Sequence, residues 1–185
     1  MKEIRIHGRG GQGAVTIGGT LVYCLAASGK YASAIPQFGF ERRGAPVESY
    51  VRLDDNPIRE KTRIYTPDCL IVLDSTLLNA VNIFNGLKDD GILIINERCS
   101  PEELKLPLAV KKVGILDATK IAMEIFKANI TNTCMLGAFV ATTHWVELET
   151  VSEGLGEYFE KDLFTKNQRA AREGFEKCRI FNLRE

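Results

Sequence analysis

A chain of 185 residues, 45% of them hydrophobic, is long enough for one domain with a full core, and we expect its helical tail at about residues 151–180. Its 24 basic and 24 acidic residues give a formal net charge of zero, which argues against binding to nucleic acid or to an anionic membrane. No apolar run approaches the ~18 residues of a membrane span, and Met1 to Glu3 do not begin a signal peptide, so we expect a cytoplasmic protein.

The first predicted strand runs into a glycine-rich turn and then into a helix of small residues. Its apolar alternation begins at Ile4, and Gly8, Gly10 and Gly13 match the spacing G-x-G-x-x-G. The missing β-carbons of such a turn let a ligand approach the backbone amides and let the next helix pack closely on its strand. The helix N-terminus after Gly13 adds partial positive charge. The pattern therefore favours an anion site or a partner-docking loop, and a tight turn without a ligand is the alternative.

The two usual nucleotide-binding patterns fit this turn badly. A P-loop needs Gly-Lys-Ser/Thr, but Gly13 is followed by Ala14 and Val15, which supply neither a lysine for a terminal phosphate nor a hydroxyl for magnesium. A dinucleotide site needs an acid about 20 residues further on, and residues 29–35 contain none. ATP hydrolysis and NAD binding are therefore disfavoured, and NADP binding, with Lys30 nearby, is less so.

An unusual loop follows the next predicted strand, Tyr31–Ile35. The loop, Pro36–Pro46, combines two prolines and two glycines with Phe38, Phe40 and an arginine pair, so it cannot form a regular element. It follows a strand end, where α/β sheets bind ligands, and arginines offer planar donor groups to phosphate or carboxylate. The alternative is a solvated loop whose two phenylalanines pack into the core.

Further strands complete a predicted sheet. Val47–Leu53 alternates apolar and polar residues, which predicts a strand with one solvated face that is antiparallel or at an edge. Cys69–Asp74 is short and continuously apolar, which indicates a parallel strand at the centre of the sheet. Asp74 and the hydroxyls after it are expected to cap a helix that continues through Phe84. Ile92–Asn96 and Ala109–Val113 are two more strands.

Helices dominate the rest of the chain. One helix is predicted from Asp117 to Phe126, and an apolar one that is buried nearly all round runs from Asn129 towards Trp145. Val151–Cys178 is predicted to form two amphipathic helices. The elements together predict a three-layer α/β/α fold whose mostly parallel sheet carries an antiparallel edge strand, with additional C-terminal helices.

The sequence offers no pattern for a metal site. His7 ends the first strand beside the glycine turn, where it either satisfies local backbone groups or contacts a ligand, and we assign His144 to packing or capping. The cysteines are isolated and none has the C-x-x-C spacing of a cluster or zinc site. We expect five reduced core residues: Cys24, Cys69, Cys99, Cys134 and Cys178.

Three stretches together resemble one family. His7–Gly13, Phe38–Val47 and Asn132–Ala138, in this order, are similar to the gamma subunit of 2-oxoacid:ferredoxin oxidoreductases of the pyruvate and 2-ketoisovalerate type. The doubled glycine before Gln12 and the run Glu-Arg-Arg-Gly-Ala-Pro make the combination specific, and the resemblance spans essentially the whole chain. The family's 2-oxoglutarate branch tends to lack the Glu-Arg-Arg run, so this chain is more similar to the pyruvate branch.

The resemblance implies a chemistry that belongs to other subunits. The holoenzyme would decarboxylate a 2-oxoacid such as pyruvate, pass electrons singly to ferredoxin and transfer the acyl group to coenzyme A. Thiamine diphosphate with magnesium would sit between the alpha and beta subunits, and 4Fe–4S clusters would belong to the beta and delta subunits. The substrate would be selected by those chains, so this sequence does not fix which 2-oxoacid is used.

The resemblance implies no catalytic residue and no cofactor in this chain, which would be inactive alone. Its expected partners are the alpha, beta and delta subunits, and when isolated it would dimerise through surface meant for them. The candidates for contact with coenzyme A phosphates or with a neighbouring subunit are Gly8, Arg9, Gly10, Gly11, Gln12, Gly13, Glu41, Arg42 and Arg43.

Two other functions stay open on the sequence alone. The first is a freestanding NADP-linked reductase that uses the Gly8–Gly13 loop, and the second is a nucleotide-binding regulatory domain. Co-purification with subunits that carry iron–sulfur absorbance would favour the gamma subunit, whereas a lone chain whose fluorescence changes with NADPH would favour the reductase.

Overall fold

The structure is a computed structural model that describes residues 1–36 and 44–183, apart from the side chain of Ala27. These residues form a seven-stranded sheet, five α-helices and two short 3-10 helices, and no described helix is long and apolar enough to cross a membrane. The elements are β1 Lys2–Arg9, α1 Ala14–Ala27, β2 Tyr31–Pro36, β3 Pro46–Asp54, β4 Cys69–Val72, a 3-10 helix Ser75–Asn79, β5 Gly91–Asn96, a 3-10 helix Pro101–Glu103, β6 Val110–Leu116, α2 Ala118–Phe126, α3 Asn132–Thr143, α4 Leu148–Tyr158, α5 Lys161–Lys177 and β7 Arg179–Asn182.

The sheet is mixed, with strand order β2-β3-β1-β4-β5-β6-β7. Strands β1, β4, β5 and β6 are parallel neighbours, whereas β3 is antiparallel to both β1 and β2, and β7 is antiparallel to β6. The predicted α/β class and the antiparallel pairing at an edge are therefore confirmed. The apolar strand β4 lies in the middle of the seven and its four residues are buried, as predicted. We call the edge where β1, β4, β5 and β6 end the carboxyl edge.

The described α-helices all lie on one side of the sheet, the helical face, where α1 and α3 pack on the strands and α2, α4 and α5 pack mainly on other helices. Their core residues join those of β1 and β4 that point to that side, such as Ile4, Ile6 and Ile71. On the opposite face, the loop face, Leu70 and Val72 pack under 3-10 helices and loops. The third layer of the predicted sandwich thus consists of 3-10 helices and loops within the described residues.

The helix expected after Asp74 is much shorter than predicted. Asp74 caps it by accepting from the Thr76 N–H, but the regular turn ends at Asn79 and does not reach Phe84. Asparagine is a poor helix former because its side chain competes for backbone hydrogen bonds. The sequence from residue 79 to 86 contains three asparagines and a final glycine, which explains why a 3-10 helix forms here.

The loop face beneath β1 and β3 is charged and nevertheless buried. Arg5 Nη2 donates to the carbonyl oxygens of Ile83 and Asn85 at 2.7 Å each, and Arg52 Nη1 donates to the Thr62 carbonyl at 2.8 Å. These loops cover the strands, so Arg52 is only 3% exposed. The prediction of a solvated face on Val47–Leu53 is therefore wrong, because alternation shows which side chains share a face and not what covers that face.

Helix α3 is buried all round, as predicted, because α5 approaches it at two glycines. Every residue from Thr133 to Thr143 is buried. A β-carbon at Gly137 would overlap the Ala171 carbonyl of α5, and one at Gly174 would overlap the Cys134 carbonyl of α3. The two backbones are therefore in direct contact, which places α5 of the C-terminal region against the core.

We predict that Gly137→Ala lowers the free energy of unfolding by about 3 kcal/mol, since the added methyl group forces α3 and α5 apart. Gly19→Ala in α1 is the matched control: a β-carbon there meets no atom within 4 Å, so this change should stabilise the helix by about 0.5–1 kcal/mol. Urea denaturation of both variants measures the difference, and equal stabilities would contradict the close packing of the two helices.

Candidate functional site

The glycine loop, Gly8–Gly13, lies at the carboxyl edge and is attached to the end of β4 through Asp74. The Arg9 Nε donates to Asp74 Oδ2 at 3.1 Å, and the Gln12 Nε2 donates to the same oxygen at 2.9 Å. Burial raises the pKa of Asp74, but hydrogen bonds from Thr76 and Gln12 and the charge of Arg9 outweigh it, so the pKa is lowered. Asp74 therefore stays ionised and holds the loop in place.

Each glycine of the fingerprint has a local structural reason. Gly13 precedes α1 with a φ of 85°, in the left-handed region that favours glycine. A β-carbon at Gly8 would lie 3.2 Å from both Ala14 and Leu73, so its absence lets α1 sit close to its strand. Gly10 extends the pairing of β1 and β3, since its N–H donates to the Ala45 carbonyl at 2.9 Å. The tight-turn interpretation thus explains the spacing without a ligand.

Two helix N-termini meet at this loop. Gly13 immediately precedes α1, and a β-carbon at Gly13 would lie 3.1 Å from the side-chain amide nitrogen of Asn132, the first residue of α3. Neither helix has an acid in its first turn, and the one side-chain acceptor there among the described residues is Asn132 Oδ1, which accepts from the Thr133 N–H at 2.9 Å. The first backbone N–H groups of a helix lack intrahelical partners and attract negative charge. The junction of α1 and α3 is therefore the part of the site best suited to an anion.

The cleft beside the loop has the opposite electrostatic character. It encloses about 250 Å³ and is lined by Gln12 and by three carboxylates, Asp74, Glu97 and Asp117. Among the described residues that line it, Arg98 is the only cation, and its Nε contacts Asp117 at 2.8 Å. A phosphate in this cleft would be repelled, so an anion at the loop would have to approach from the junction of the two helices.

Arg9, which the sequence marks as an anion-binding candidate, already donates hydrogen bonds to three acceptors within the chain. Besides Asp74, its guanidinium donates to the Gly44 carbonyl at 3.1 Å and to the Thr76 hydroxyl at 2.7 Å. The side chain therefore connects three segments of the carboxyl edge. In the structure its role is to position the loop.

His7 is sealed inside the loop face and does not reach a ligand site. It is 2% exposed, and its Nε2 accepts a hydrogen bond from Arg5 Nε at 3.0 Å. Glu48 Oε1 lies 3.7 Å from Nδ1. Burial lowers the pKa of His7 to about 4, because the opposing effect of Glu48 is smaller and Arg5 lowers it further. His7 is thus a neutral structural residue at neutral pH.

Three predicted site residues, Glu41, Arg42 and Arg43, and the aromatic pair of the same loop lie outside the described residues. The next residue, Gly44, donates its N–H to the Gly10 carbonyl at 3.1 Å. The glycine loop and the end of the arginine-containing loop, 44–45, are therefore brought together, as a common site requires.

The sequence predicts Asp74 as a cap and Asp117 as a helix start, but sequence reasoning missed that the polar residues following the parallel strands lie at one edge. Asp74 follows β4 and Asp117 follows β6, while Asn96 ends β5 and accepts from the N–H groups of Ala118 and Thr119 at the start of α2. The signal was present, since each of these polar residues stands at the end of an apolar run. Their common position at one edge appears only when the strands are parallel.

The cysteines and the other side chains that could bind a metal are dispersed in the described part of the chain. All five cysteines lie in the described part of the chain and are free, and Cys24, Cys69 and Cys134 are buried. Within the described residues, no three His, Cys, Asp or Glu side chains are grouped so that they could hold a metal ion.

Comparison with known proteins decides the family. The family model for pyruvate ferredoxin/flavodoxin oxidoreductase matches residues 3–177. The chain belongs to this family. The resemblance carried by the glycine loop, the Glu-Arg-Arg loop and the start of α3 is thereby confirmed.

The relatives of this oxidoreductase-family chain include gamma subunits of similar length. The common gamma subunit of the pyruvate/ketoisovalerate oxidoreductases of Pyrococcus furiosus is 50% identical over 185 residues, 99% of this chain and 100% of that protein. The gamma subunit of the NADH-dependent phenylglyoxylate dehydrogenase of Aromatoleum evansii is 47% identical over 184 residues, 99% and 97% of the two chains. The crystal structure of pyruvate oxidoreductase subunit PORC from Thermotoga maritima has 36% identity and a TM-score of 0.85, with 97% of each chain covered.

We predict that acidification destabilises the fold through His7. Its pKa in the folded protein, about 4, lies below the ordinary 6.5, so the unfolded chain binds a proton first. Neutral His7 contributes about 3 kcal/mol to the free energy of unfolding. This contribution is complete above pH 6.5 and is lost as the pH falls towards 4. Urea denaturation across this range measures the loss.

His7→Gln keeps an acceptor for Arg5 but does not titrate, so it should flatten the dependence of stability on pH. His144→Asn is the control, because asparagine tolerates the left-handed backbone at this position, where φ is 53°. That control should retain the wild-type slope. An equally steep profile in His7→Gln would contradict the assignment.

Proposed function

We propose that the chain is the gamma subunit of a 2-oxoacid:ferredoxin oxidoreductase that depends on thiamine diphosphate and iron–sulfur clusters. The enzyme would oxidatively decarboxylate a 2-oxoacid such as pyruvate to an acyl-coenzyme A, with electrons leaving to ferredoxin. The observation that carries the proposal is the match to gamma subunits over 99% of this chain and 97–100% of theirs. The freestanding NADP-linked reductase is set aside, because these full-length relatives are subunits by name.

In this proposal the cofactors belong to the alpha, beta and delta subunits. The chain itself supplies a folded surface, in keeping with its isolated cysteines and with the role of Arg9 in positioning the loop. The substrate is selected elsewhere in the assembly. In support, relatives 50% and 47% identical to this chain are named for pyruvate/ketoisovalerate and for phenylglyoxylate.

The glycine loop and the neighbouring residues 44–45 are the part of the surface that we assign to subunit docking. Hydrogen bonds from Arg9 and Gln12 to Asp74, and from Gly44 to Gly10, hold both segments rigid. A preorganised surface loses little conformational entropy on association. Arg42 and Arg43 directly precede Gly44 in the sequence, and we include them in this proposal on that ground alone.

We predict that co-expression with the companion subunits yields one stable complex with iron–sulfur absorbance and with coenzyme A-dependent, ferredoxin-reducing activity towards a 2-oxoacid. The isolated chain should be inactive, because in this proposal the groups for the decarboxylation and the electron transfer belong to the other subunits. Gel filtration with activity assays measures both outcomes. Robust turnover by the isolated chain, or a chain that never joins its companions, would contradict the proposed function.

A second role for the same surface is contact with the phosphates of coenzyme A. It is favoured by the meeting of the α1 and α3 N-termini at Gly13 and Asn132, since neither first turn carries an acid. Backbone N–H groups and helix dipoles bind phosphate without a charged side chain. The arginines of the neighbouring loop would add planar donor groups.

We predict that Arg42→Ala with Arg43→Ala, made in the assembled enzyme, raises the KM for coenzyme A about tenfold if the phosphate contact is correct. If the pair serves docking instead, the complex should dissociate at lower salt while KM is unchanged. Arg59→Ala with Lys61→Ala, an exposed basic pair elsewhere, is the control and should change neither. An unaltered KM together with unaltered assembly would remove both roles from the arginine pair.

A further inference from the structure

A groove runs along the carboxyl edge away from the glycine loop. It consists of the cleft of about 250 Å³ beside Gln12 and a second cleft of about 530 Å³ beyond the 3-10 helix Ser75–Asn79. Ser75 and Glu97 line both clefts, so the two adjoin each other at these residues. We call the whole feature the carboxyl-edge groove. The proposed function uses only the loop at its first end.

Glu97 lines both clefts, and its carboxylate forms no direct ion pair among the described residues, although the charge of Arg98 acts on it. Asp74 and Asp117, which line the same groove, have cationic partners in Arg9 and Arg98. Within the described residues, no lysine or arginine nitrogen lies within 4 Å of the Glu97 carboxylate. Its Oε1 accepts instead from the Arg98 N–H at 2.7 Å.

Neutral donors also keep Glu97 ionised. A hydrogen bond from the Ser75 hydroxyl lowers the pKa of Glu97, and the backbone N–H groups of Arg98 and Cys99 act in the same direction. The charge of Arg98 also lowers this pKa, but within the described residues no cation forms an ion pair with the carboxylate. Such a group is ready to pair with a cation brought by another molecule.

The second cleft adds an apolar surface directly beside this charge. Leu78, Phe84 and Leu106 are half-buried and Leu104 is buried, and all four line the cleft. An apolar lining next to a fixed carboxylate is complementary to a polypeptide segment in which a basic residue is close to large apolar ones. A free anion such as a phosphate does not fit, because the carboxylates that line the groove outnumber its cations, Arg98 and Lys105.

We propose that the carboxyl-edge groove receives a segment of a neighbouring subunit of the oxidoreductase, in which a lysine or arginine pairs with Glu97 and adjacent apolar side chains enter the cleft lined by Leu78, Phe84 and Leu106. This inference rests on the proposed function, since it requires companion subunits. It deepens that function by naming a second contact region, centred on Glu97 and the apolar cleft, and the chemistry of what binds there.

The test uses the holoenzyme, with an affinity tag on this chain and untagged companion subunits. Glu97→Gln removes the charge but keeps an oxygen for the Arg98 N–H, so the chain should fold as before. We expect the variant to bind its companions about tenfold more weakly, with a smaller loss of binding on raising the salt concentration than the wild type shows. Glu102→Gln removes an exposed acid that does not line the groove, and it should behave as the wild type.

The apolar half of the groove is tested in parallel with Leu106→Ala. This variant should also weaken assembly, but its dependence on salt should stay that of the wild type, because no charge is removed. Leu108→Ala, two residues away and 73% exposed, is its control and should assemble normally. Thermal unfolding of the four isolated variants checks that reduced binding does not come from unfolding.

The outcomes separate this inference from the proposed function. If the wild-type chain assembles and Glu97→Gln assembles with unchanged affinity and unchanged salt dependence, the groove inference is overturned and the proposed function stands. If an excess of a small amine displaces the wild-type subunit from its companions, the pairing of Glu97 with a cation is supported. If the wild-type chain does not bind the companion subunits at all, the proposed function fails and this inference fails with it.

Discussion

The arrangement of the carboxyl edge depends on one carboxylate. Asp74 accepts hydrogen bonds from Arg9 and Gln12 of the glycine loop and from Thr76 of the 3-10 helix that follows β4. Because β1 and β4 are parallel neighbours, Arg9 and Gln12 are close to Asp74 in space although more than 60 positions separate them from it in the chain. Charged hydrogen bonds of this kind are stronger than neutral ones. They hold the loop, the strand end and residue 44 in a single arrangement.

The two faces of the sheet are stabilised in different ways, and this difference leaves the carboxyl edge open. On the helical face, the glycines of α3 and α5 allow direct backbone contact and a dense core. On the loop face, Arg5 and Arg52 donate to the carbonyls of Ile83 and Thr62, which attaches the loops to the sheet. Irregular segments can therefore cover the sheet without helices. The short 3-10 helix after β4 leaves room for the groove beside it.

The electrostatics of the carboxyl edge fit a chain that works within an assembly. Arg9, the arginine of the glycine loop, pairs with Asp74, and the carboxylates that line the cleft beside the loop outnumber its cations among the described residues. The two helix N-termini at Gly13 and Asn132 provide positive potential from backbone groups alone. Such a surface can receive parts of other molecules, in keeping with the gamma-subunit role proposed for this family member. The relatives named for different 2-oxoacids have sequences that are about equally similar to it.

The sequence by itself determined the local features: the turn around Gly13, the buried central strand β4, the caps Asp74 and Asp117, and the family. These follow from residues close together in the chain, since a positive φ needs glycine and a strand buried on both faces needs continuous apolar residues. Only the tertiary structure decided what covers the polar face of β3, that Arg9 pairs with Asp74 and that residues 179–182 add a last antiparallel strand. It also decided that Glu97 lines two clefts without an ion pair among the described residues. Each of these depends on contacts between segments far apart in sequence, whose pairing is set by strand order and register and leaves no local pattern in the amino acids.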